Sequence, residues 1–289
     1  MKRTTLFLLF VAFAGCLTAC SQEKESLKRH GWNIENLGPL YGNVESVAIT
    51  RYTISDKFGE IIKEKVKEKE TYKFNLKGNV VEQCEYDSDG SLSSKHLCKY
   101  DSQDNLIESV SYDSDGSPKW KCLYKYDSRG NRIELAGYNG DGSKNVKALC
   151  KYDSQGNRIE GAKYNSDGSL YYKLLYKYDS QGNMIEKAKY NSDGSLGDKS
   201  LYKYDSQGNM IEAAGYNSDG SLETKVLHKY DAQSNMIVEV WYKSDGSLFY
   251  KALYKHDSQG NMIEKIEIEH MNENMIPFGM EERVIAYRK

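Results

Sequence analysis

Several residue patterns in this 289-residue chain have types and spacings that could do chemistry. Asp113-Ser-Asp-Gly116 and its recurrences have the composition of the start of a calcium loop. An EF-hand loop needs oxygen ligands out to its twelfth position, where a bidentate Glu closes it. No such Glu recurs here, and the Gly-Gly-x-Gly-x-Asp pattern of calcium-binding β-rolls is absent. The expected role of Asp-Ser-Asp-Gly is therefore an Asx-type turn, with no metal and no cofactor. Glu186 and its counterparts recur in six of seven units and are expected to pair with Lys or Tyr hydroxyls rather than act as acids or bases. The histidines His30, His96, His228, His256 and His270 make no metal spacing and no triad. There is no phosphate-cradling Gly loop and no nucleophile elbow. The expectation is a non-catalytic protein.

The remaining candidates are aromatic. Two positions vary freely from unit to unit: Lys119-Trp120, Tyr171-Tyr172, Gly197-Asp198, Glu223-Thr224 and Phe249-Tyr250. Trp241 stands where other units carry Ser, Gly or Lys. Aromatic side chains at variable positions of a regular frame are candidate contact residues, because sugars and peptides both stack on them. Trp120, Tyr171, Tyr172, Trp241, Phe249 and Tyr250 are thus the candidate binding residues.

A repeat must position them. Tyr-Asp occurs at Tyr100, Tyr126, Tyr152, Tyr178, Tyr204 and Tyr230, always 26 residues apart, with Phe74-Asn75 and His256-Asp257 in the same slot at the two ends. A second series, Tyr86 to Tyr242, has the same period. Each unit holds two turn signals, Asp205-Ser-Gln-Gly208 and Asn191-Ser-Asp-Gly194 being one pair. Asp or Asn opens a type I turn, and Gly follows where φ must be positive. That is the three-residue hairpin loop. Asp104 and Ser234 replace the Gly of the first turn, so those two hairpins should be strained.

The segments between turns have strand length, and no helical apolar stripe survives turns this frequent. Extending the pairing from each turn without interruption places Tyr190 opposite Leu196, Met184 opposite Tyr202, Ile185 opposite Leu201 and Tyr204 opposite Met210. One face then carries Met184, Ala188, Tyr190, Leu196, Tyr202 and Tyr204 and is the expected core face. The other carries the Ile185–Leu201 stripe under Lys stems, which can tolerate water. The same register puts Cys84, Cys98, Cys122 and Cys150 on the Tyr face. Like strands of successive units are about 9.6 Å apart, beyond disulfide reach, so free thiols packed as small core residues are expected.

Composition agrees with such a sheet. Only 39% of residues are apolar and mean hydropathy is -0.73, yet there are 24 Tyr, 24 Gly and 3 Pro. Disordered chains lack aromatics and are usually rich in Pro. A formal net charge of -2 argues against a general polyanion binder and hence against nucleic acid. About 18 strands in continuous up-and-down order are expected. Laid flat they would span roughly 85 Å. Sheets that wide twist and curl. The expected fold class is all-β, an elongated, twisted and curled antiparallel β-meander of 26-residue double-hairpin repeats.

The N-terminus reads as a secretory signal, with a basic start at Lys2-Arg3 and a short apolar run from Leu6 to Leu17. Leu17-Thr-Ala-Cys20 resembles the lipobox of bacterial lipoproteins. The resemblance implies cleavage before Cys20 and its acylation. Ser21 in place of Asp implies the outer membrane by resemblance to the lipoprotein sorting rule. The expected organisation is a signal peptide at 1–19, lipidated Cys20 and tether at 20–40, a capping hairpin at 41–73, the repeat array at 74–268 and a capping segment at 269–289. In that last segment Glu281 to Tyr287 is a closing strand and Pro277 marks the break before it.

Tyr-Asp-Ser-Gln-Gly-Asn-Met-Ile followed by Tyr-Asn-Ser-Asp-Gly-Ser-Leu resembles the YD repeats of the Rhs family over about residues 74–268. In that family the repeats form β-hairpin spirals that build shells, described as carbohydrate-associated or toxin-enclosing. This chain departs from the large members in having too few repeats for a closed shell and no toxin domain after the array. The Tyr-x-x-x-Gly half-units also resemble MORN-like repeats, stacked hairpins used for binding. The expected function is an envelope lipoprotein, held to the membrane by Cys20, whose repeat array is a scaffold or binding surface for a glycan or another envelope protein. The alternative is an immunity-like inhibitor of a toxin partner.

Overall fold

The computed structural model describes residues 37–271 and 274–288. The signal peptide, the Cys20 lipidation site and most of the tether lie outside the described residues.

Eighteen strands are found among the described residues. Two long strands come first, β1 (Val44–Lys57) and β2 (Glu60–Phe74). The repeat array follows as β3 (Val80–Tyr86), β4 (Leu92–Tyr100), β5 (Leu106–Asp113), β6 (Pro118–Tyr126), β7 (Arg132–Asn139), β8 (Lys144–Tyr152) and β9 (Arg158–Tyr164). It continues as β10 (Leu170–Tyr178), β11 (Met184–Asn191), β12 (Leu196–Tyr204), β13 (Met210–Asn217), β14 (Leu222–Tyr230), β15 (Met236–Lys243) and β16 (Leu248–His256). Two longer strands finish the chain, β17 (Met262–Met271) and β18 (Asn274–Tyr287). Each pairs antiparallel with the next, as the meander requires. In addition β18 pairs with β1, from Tyr287 opposite Val44 to Gly279 opposite Thr53. The sheet therefore closes into a barrel, and closure removes the free edges that capping hairpins would otherwise have to cover.

The turns form as their sequences dictate. In the Tyr-Asp turn, Asp205 Oδ1 accepts from the backbone N–H groups of Gln207 and Asn209, both at 2.9 Å, and Oδ2 accepts from Asn209 Nδ2 at 2.9 Å. Gly208 takes φ 83°, a left-handed value open to Gly at little cost. Asp104 and Ser234 adopt the same region, at φ 65° and 64°. Their side chains engage the preceding turn of the row: Ser234 Oγ donates to Gln207 Oε1 at 3.0 Å, and Lys77 Nζ lies 2.9 Å from Asp104.

The register departs from uninterrupted pairing. Tyr190 faces Leu196 and Tyr204 faces Met210 as expected, but each ladder then slips by one residue. Beyond the slip Glu186, not Ile185, faces Leu201, and Met184 pairs with Tyr178 of β10 rather than with Tyr202. A bulge of this kind sits beside every repeat turn. It adds one residue to one strand and reverses the in/out parity beyond it. Ala188, Tyr190 and Leu196 consequently share a face with Leu201, Lys199 and Lys203, and Tyr202 and Tyr204 occupy the other. Cys84 moves to the Leu201 face, away from Cys98, Cys122 and Cys150; all four thiols are free. Pro277 does not break the chain either: β18 runs through it, opposite Ile268, with a bulge beside it. Proline is tolerated there because β1 has already left β18 at Gly279, so that side of the strand is an edge.

Burial shows which face is inside. Val47 and Ile49 are buried while Ala48 between them is exposed, and Arg283 is 6% exposed beside Val284 at 72%. The inner face is thus the one with Tyr202 and Tyr204. The outer face carries a belt in which one Glu bridges two Lys from the flanking strands. Glu108 lies 2.6 Å from both Lys99 and Lys121, and Glu160 lies 3.0 and 2.8 Å from Lys151 and Lys173. The Tyr-Asp tyrosines are framework as well. Each donates to the carbonyl that opens the preceding strand, as Tyr204 does to Met184 O at 2.8 Å and Tyr178 to Arg158 O at 2.9 Å.

Candidate functional surface

The two rims of the barrel differ. At the Tyr-Asp-turn rim, residues 37–43 lie against β1, β2 and β18. Leu37 and Leu40 are buried with Val44, Val47, Ile49, Tyr72, Phe74 and Val80. Tyr41 N–H donates to Asn261 Oδ1 at 2.5 Å, Asn261 Nδ2 returns a bond to Tyr41 O at 3.0 Å, and Arg283 donates to Leu37 O. The other rim, built by the Asn/Asp-Ser-Asp-Gly turns, carries all six candidate aromatics, because each precedes or follows one of those turns by a few residues.

The structure brings five of the six into two groups. Tyr171 and Tyr172 form a tilted pair, ring centres 5.4 Å apart. Tyr171 is the bulge residue of β10 and is 53% exposed; Tyr172 points inward, opposite Lys163. Trp241, Phe249 and Tyr250 form the second group, with Trp241 6.2 and 6.3 Å from the other two rings. Tyr250 is 6% exposed, donates its hydroxyl to Glu267 Oε1 at 2.8 Å and packs edge-on against Phe278. It is a packing residue with Trp241 and Phe249 around it. Trp120 stands apart on β6, its indole N–H donating to Cys122 Sγ at 2.8 Å and its ring lying over Gly137.

Charged groups on the inner wall were not singled out by the sequence reading, because the missing bulge placed them outside. Lys163 Nζ lies 5.3 and 5.9 Å from the Tyr171 and Tyr172 ring centres, and Lys189 Nζ is 5.7 Å from that of Tyr172. Burial pushes the Lys163 ammonium below its usual range. Lys189 also reaches Asp198 at 3.4 Å. Arg158 lies 4.8 Å over the Tyr176 ring and Arg132 5.7 Å over that of Tyr124. On the far side of the ring the inner wall holds acids and cations in bonded pairs. Arg51 bonds Glu281, Glu68 and Glu70, and Tyr72 donates to Glu70. Burial works against the Glu239 carboxylate, yet His228 and the Trp241 indole hold it below the usual carboxylate range.

The signal that could have found this wall is repeat variation read with the right parity. Outer slots are constant: Lys at the Lys199 and Lys203 positions, Leu at Leu201 and Tyr at Tyr190 in all seven units. Inner slots differ from unit to unit. The Ser200 slot holds His96, Cys122, Ala148, Leu174, Ser200, Val226 and Ala252 in turn. The Lys189 slot runs Glu85, Ser111, Gly137, Lys163, Lys189, Gly215, Trp241.

No family model matches the sequence, and no curated protein matches it. Among solved structures, a porin-like protein from Bacteroides uniformis is similar over 86% of this chain and all of its own, at 10% identity and TM-score 0.48. A protein of unknown function from Bacteroides fragilis is similar over 40% of this chain and 91% of its own, at 14% identity and TM-score 0.32. A Photorhabdus luminescens Tc holotoxin pore chain is similar over 81% of this chain but only 19% of its own, at 13% identity and TM-score 0.21. Likeness at this level concerns the general course of the strands and says nothing of activity. The YD-repeat resemblance rests on the sequence motif.

Proposed function

We propose that this chain is a non-catalytic binding protein of the bacterial envelope, anchored through acylated Cys20 at the outer membrane, whose barrel presents its inner wall and aromatic rim to a glycan or another envelope protein. The observation that carries the reading is the contrast between the faces. The outer face repeats the same Lys, Leu, Glu and Tyr, as a framework needs. On the inner face, beyond the constant Tyr-Asp tyrosines, the Ser200 and Lys189 slots differ from unit to unit, as recognition of one partner needs. A ring of about 18 strands encloses more space than its own side chains fill, and Asp198, Ser200 and Tyr202 on that wall are half-buried rather than sealed. The lipobox-like leader supports the anchor, and the aromatic rim opposite the 37–43 cap supports the contact surface.

The test is capture from envelope extract and a glycan array, with the chain from residue 20 onward as bait and Tyr171→Ala/Tyr172→Ala/Phe249→Ala as control. A partner or glycan lost by the triple variant, with cooperative unfolding unchanged, supports the reading. Retention of every ligand by the variant, or a clean hydrolytic activity of the wild type, overturns it.

A further inference from the structure

We propose that the inner wall over β9, β10 and β11, at the Asn-Ser-Asp-Gly rim, is a binding site for an acidic saccharide whose sugar rings carry carboxylates. This assignment rests on the reading of the inner wall as the contact surface and names the ligand class that surface takes.

Sign of charge comes first. The inner slots of β7 to β11 carry Arg132, Arg158, Lys163, Lys187 and Lys189, and, among the described residues, no Asp or Glu. Across the ring, the inner slots of β2, β15, β17 and β18 carry Glu70, Glu239, Glu267 and Glu281, with Arg51, Arg283, Lys265 and His228 paired to them. An anion entering the rim is drawn to the β7 to β11 wall, where cations outnumber acids, rather than to the wall whose charges are paired. The outer belt shares each of these carboxylates between two lysines, and on the inner wall Lys189 also reaches Asp198 of β12 at 3.4 Å.

Shape and chemistry narrow the anion. Tyr171 and Tyr172 present two ring surfaces inclined at 51°, one largely exposed. The Lys163 and Lys189 ammonium groups approach the Tyr172 ring at 5.9 and 5.7 Å from its centre. A sugar has an apolar C–H face that an aromatic ring can cover, and a ring carboxylate at its edge would reach an ammonium held at that distance. Burial already disfavours the charge on Lys163, so an incoming carboxylate would relieve a cost the free protein carries. Gly161, beside Lys163 on the same strand, adds no side chain of its own; a Cβ there would lie in ordinary contact with the Tyr176 hydroxyl at 3.7 Å. An acidic peptide fits less well. Peptides gain affinity on sheets by adding a strand to an open edge, and β7 to β11 are paired on both sides. A saccharide needs no backbone ladder.

The experiment is titration calorimetry of the chain from residue 20 onward with three probes: an oligogalacturonate, a neutral oligosaccharide of equal length, and an oligoglutamate peptide. Variants are Lys163→Gln, Lys189→Gln and Tyr172→Leu, each checked for unchanged thermal unfolding. The expected result is oligogalacturonate binding that weakens with salt, falls about tenfold with each Lys→Gln change and falls again with Tyr172→Leu. Neutral-sugar binding that the lysine variants leave untouched would overturn the acidic assignment while leaving the broader reading standing. Oligoglutamate binding as tight as oligogalacturonate would overturn the saccharide. Oligogalacturonate binding unaffected by all three variants would overturn the location. Failure of all probes together with an empty envelope pull-down would remove the binding function itself.

Discussion

Closure of the barrel depends on one seam, and Arg51 is the residue to perturb there. It sits on β1 and reaches both neighbours. Its Nε donates to Glu281 of β18 at 2.8 Å and its terminal nitrogen to Glu68 of β2 at 2.8 Å, with Glu70 also bonded. Burial opposes the Arg51 charge, but the carboxylates of Glu281 and Glu70 outweigh it and hold the guanidinium charged. Glu70 and Glu281 are 9% and 8% exposed. Arg51→Met keeps the stem and removes the cation. Removing one partner of a buried ion pair costs about 3–5 kcal/mol, because a buried charge is left behind. The lower end applies here: the Arg51 side chain is 22% exposed, and Glu281 keeps Arg283 at 2.7 Å. The expected loss is about 3 kcal/mol at pH 7.

The pH dependence supplies a second readout. In the wild type, burial works against the Glu281 carboxylate, and Arg283 and Arg51 together hold it below its ordinary range. A carboxylate lowered in the folded state contributes stability above its unfolded pKa and loses it as pH falls through the folded value. Without Arg51 the burial effect gains ground, so that contribution shrinks, and protonation of Glu281 relieves part of the strain. The difference between wild type and Arg51→Met should therefore be largest at neutral pH and narrow toward pH 4. Urea unfolding followed by circular dichroism at several pH values measures both. A loss below about 1 kcal/mol, or a difference independent of pH, would refute the picture of a charged seam lock.

Three further outcomes follow from the same geometry. Phe58 holds a left-handed φ of 59° at the β1–β2 tip while fully exposed, so Phe58→Asn should stabilise by about 1 kcal/mol in thermal unfolding. Leu40→Ala, at a fully buried cap residue, should cost about 2–4 kcal/mol and loosen amide-exchange protection at the Tyr-Asp rim before the opposite one. Glu108, Glu160 and Glu212 are held below the usual carboxylate range chiefly by hydrogen bonds from Lys121, Lys173 and Lys203 respectively. Their stabilisation is complete above the unfolded carboxylate pKa and fades as pH falls through the lower folded values. Glu108→Gln should cost no more than about 1 kcal/mol at low salt and less in high salt.

The repeat made the strand order legible, because its turns are written in Asp, Asn and Gly. Tyr190 opposite Leu196 and Tyr204 opposite Met210 follow from turn chemistry alone. Parity beyond the turns was not legible. A bulge residue such as Ile185 or Gly197 carries no distinctive side chain, and a single slip exchanges inside for outside. The expectation therefore put Ala188 and Tyr190 on the core face and left Lys187 and Lys189 out of view. Closure was hidden for a different reason. It depends on Val44 to Thr53 meeting Gly279 to Tyr287, segments outside the repeat that share no motif with it.

Closure and parity together change what the aromatic residues mean. On an open sheet, Trp120, Tyr172 and Trp241 would be separate surface features spaced along a ribbon. On a ring they face a common interior, each on its own strand but near the same rim. A framework that needed only to stand would have no reason to vary the Ser200 or Lys189 slots while holding Lys199, Leu201 and Lys203 fixed. Cross-ring packing alone would favour apolar residues in those inner slots, yet Lys163, Lys187 and Lys189 occupy one wall, and the inner slots of β7 to β11 hold no Asp or Glu among the described residues. Gathering cations in this way costs stability that neutral side chains would spare, because the charges are partly desolvated and mostly of one sign. The excess of positive charge is accounted for if something anionic is meant to lie against that wall.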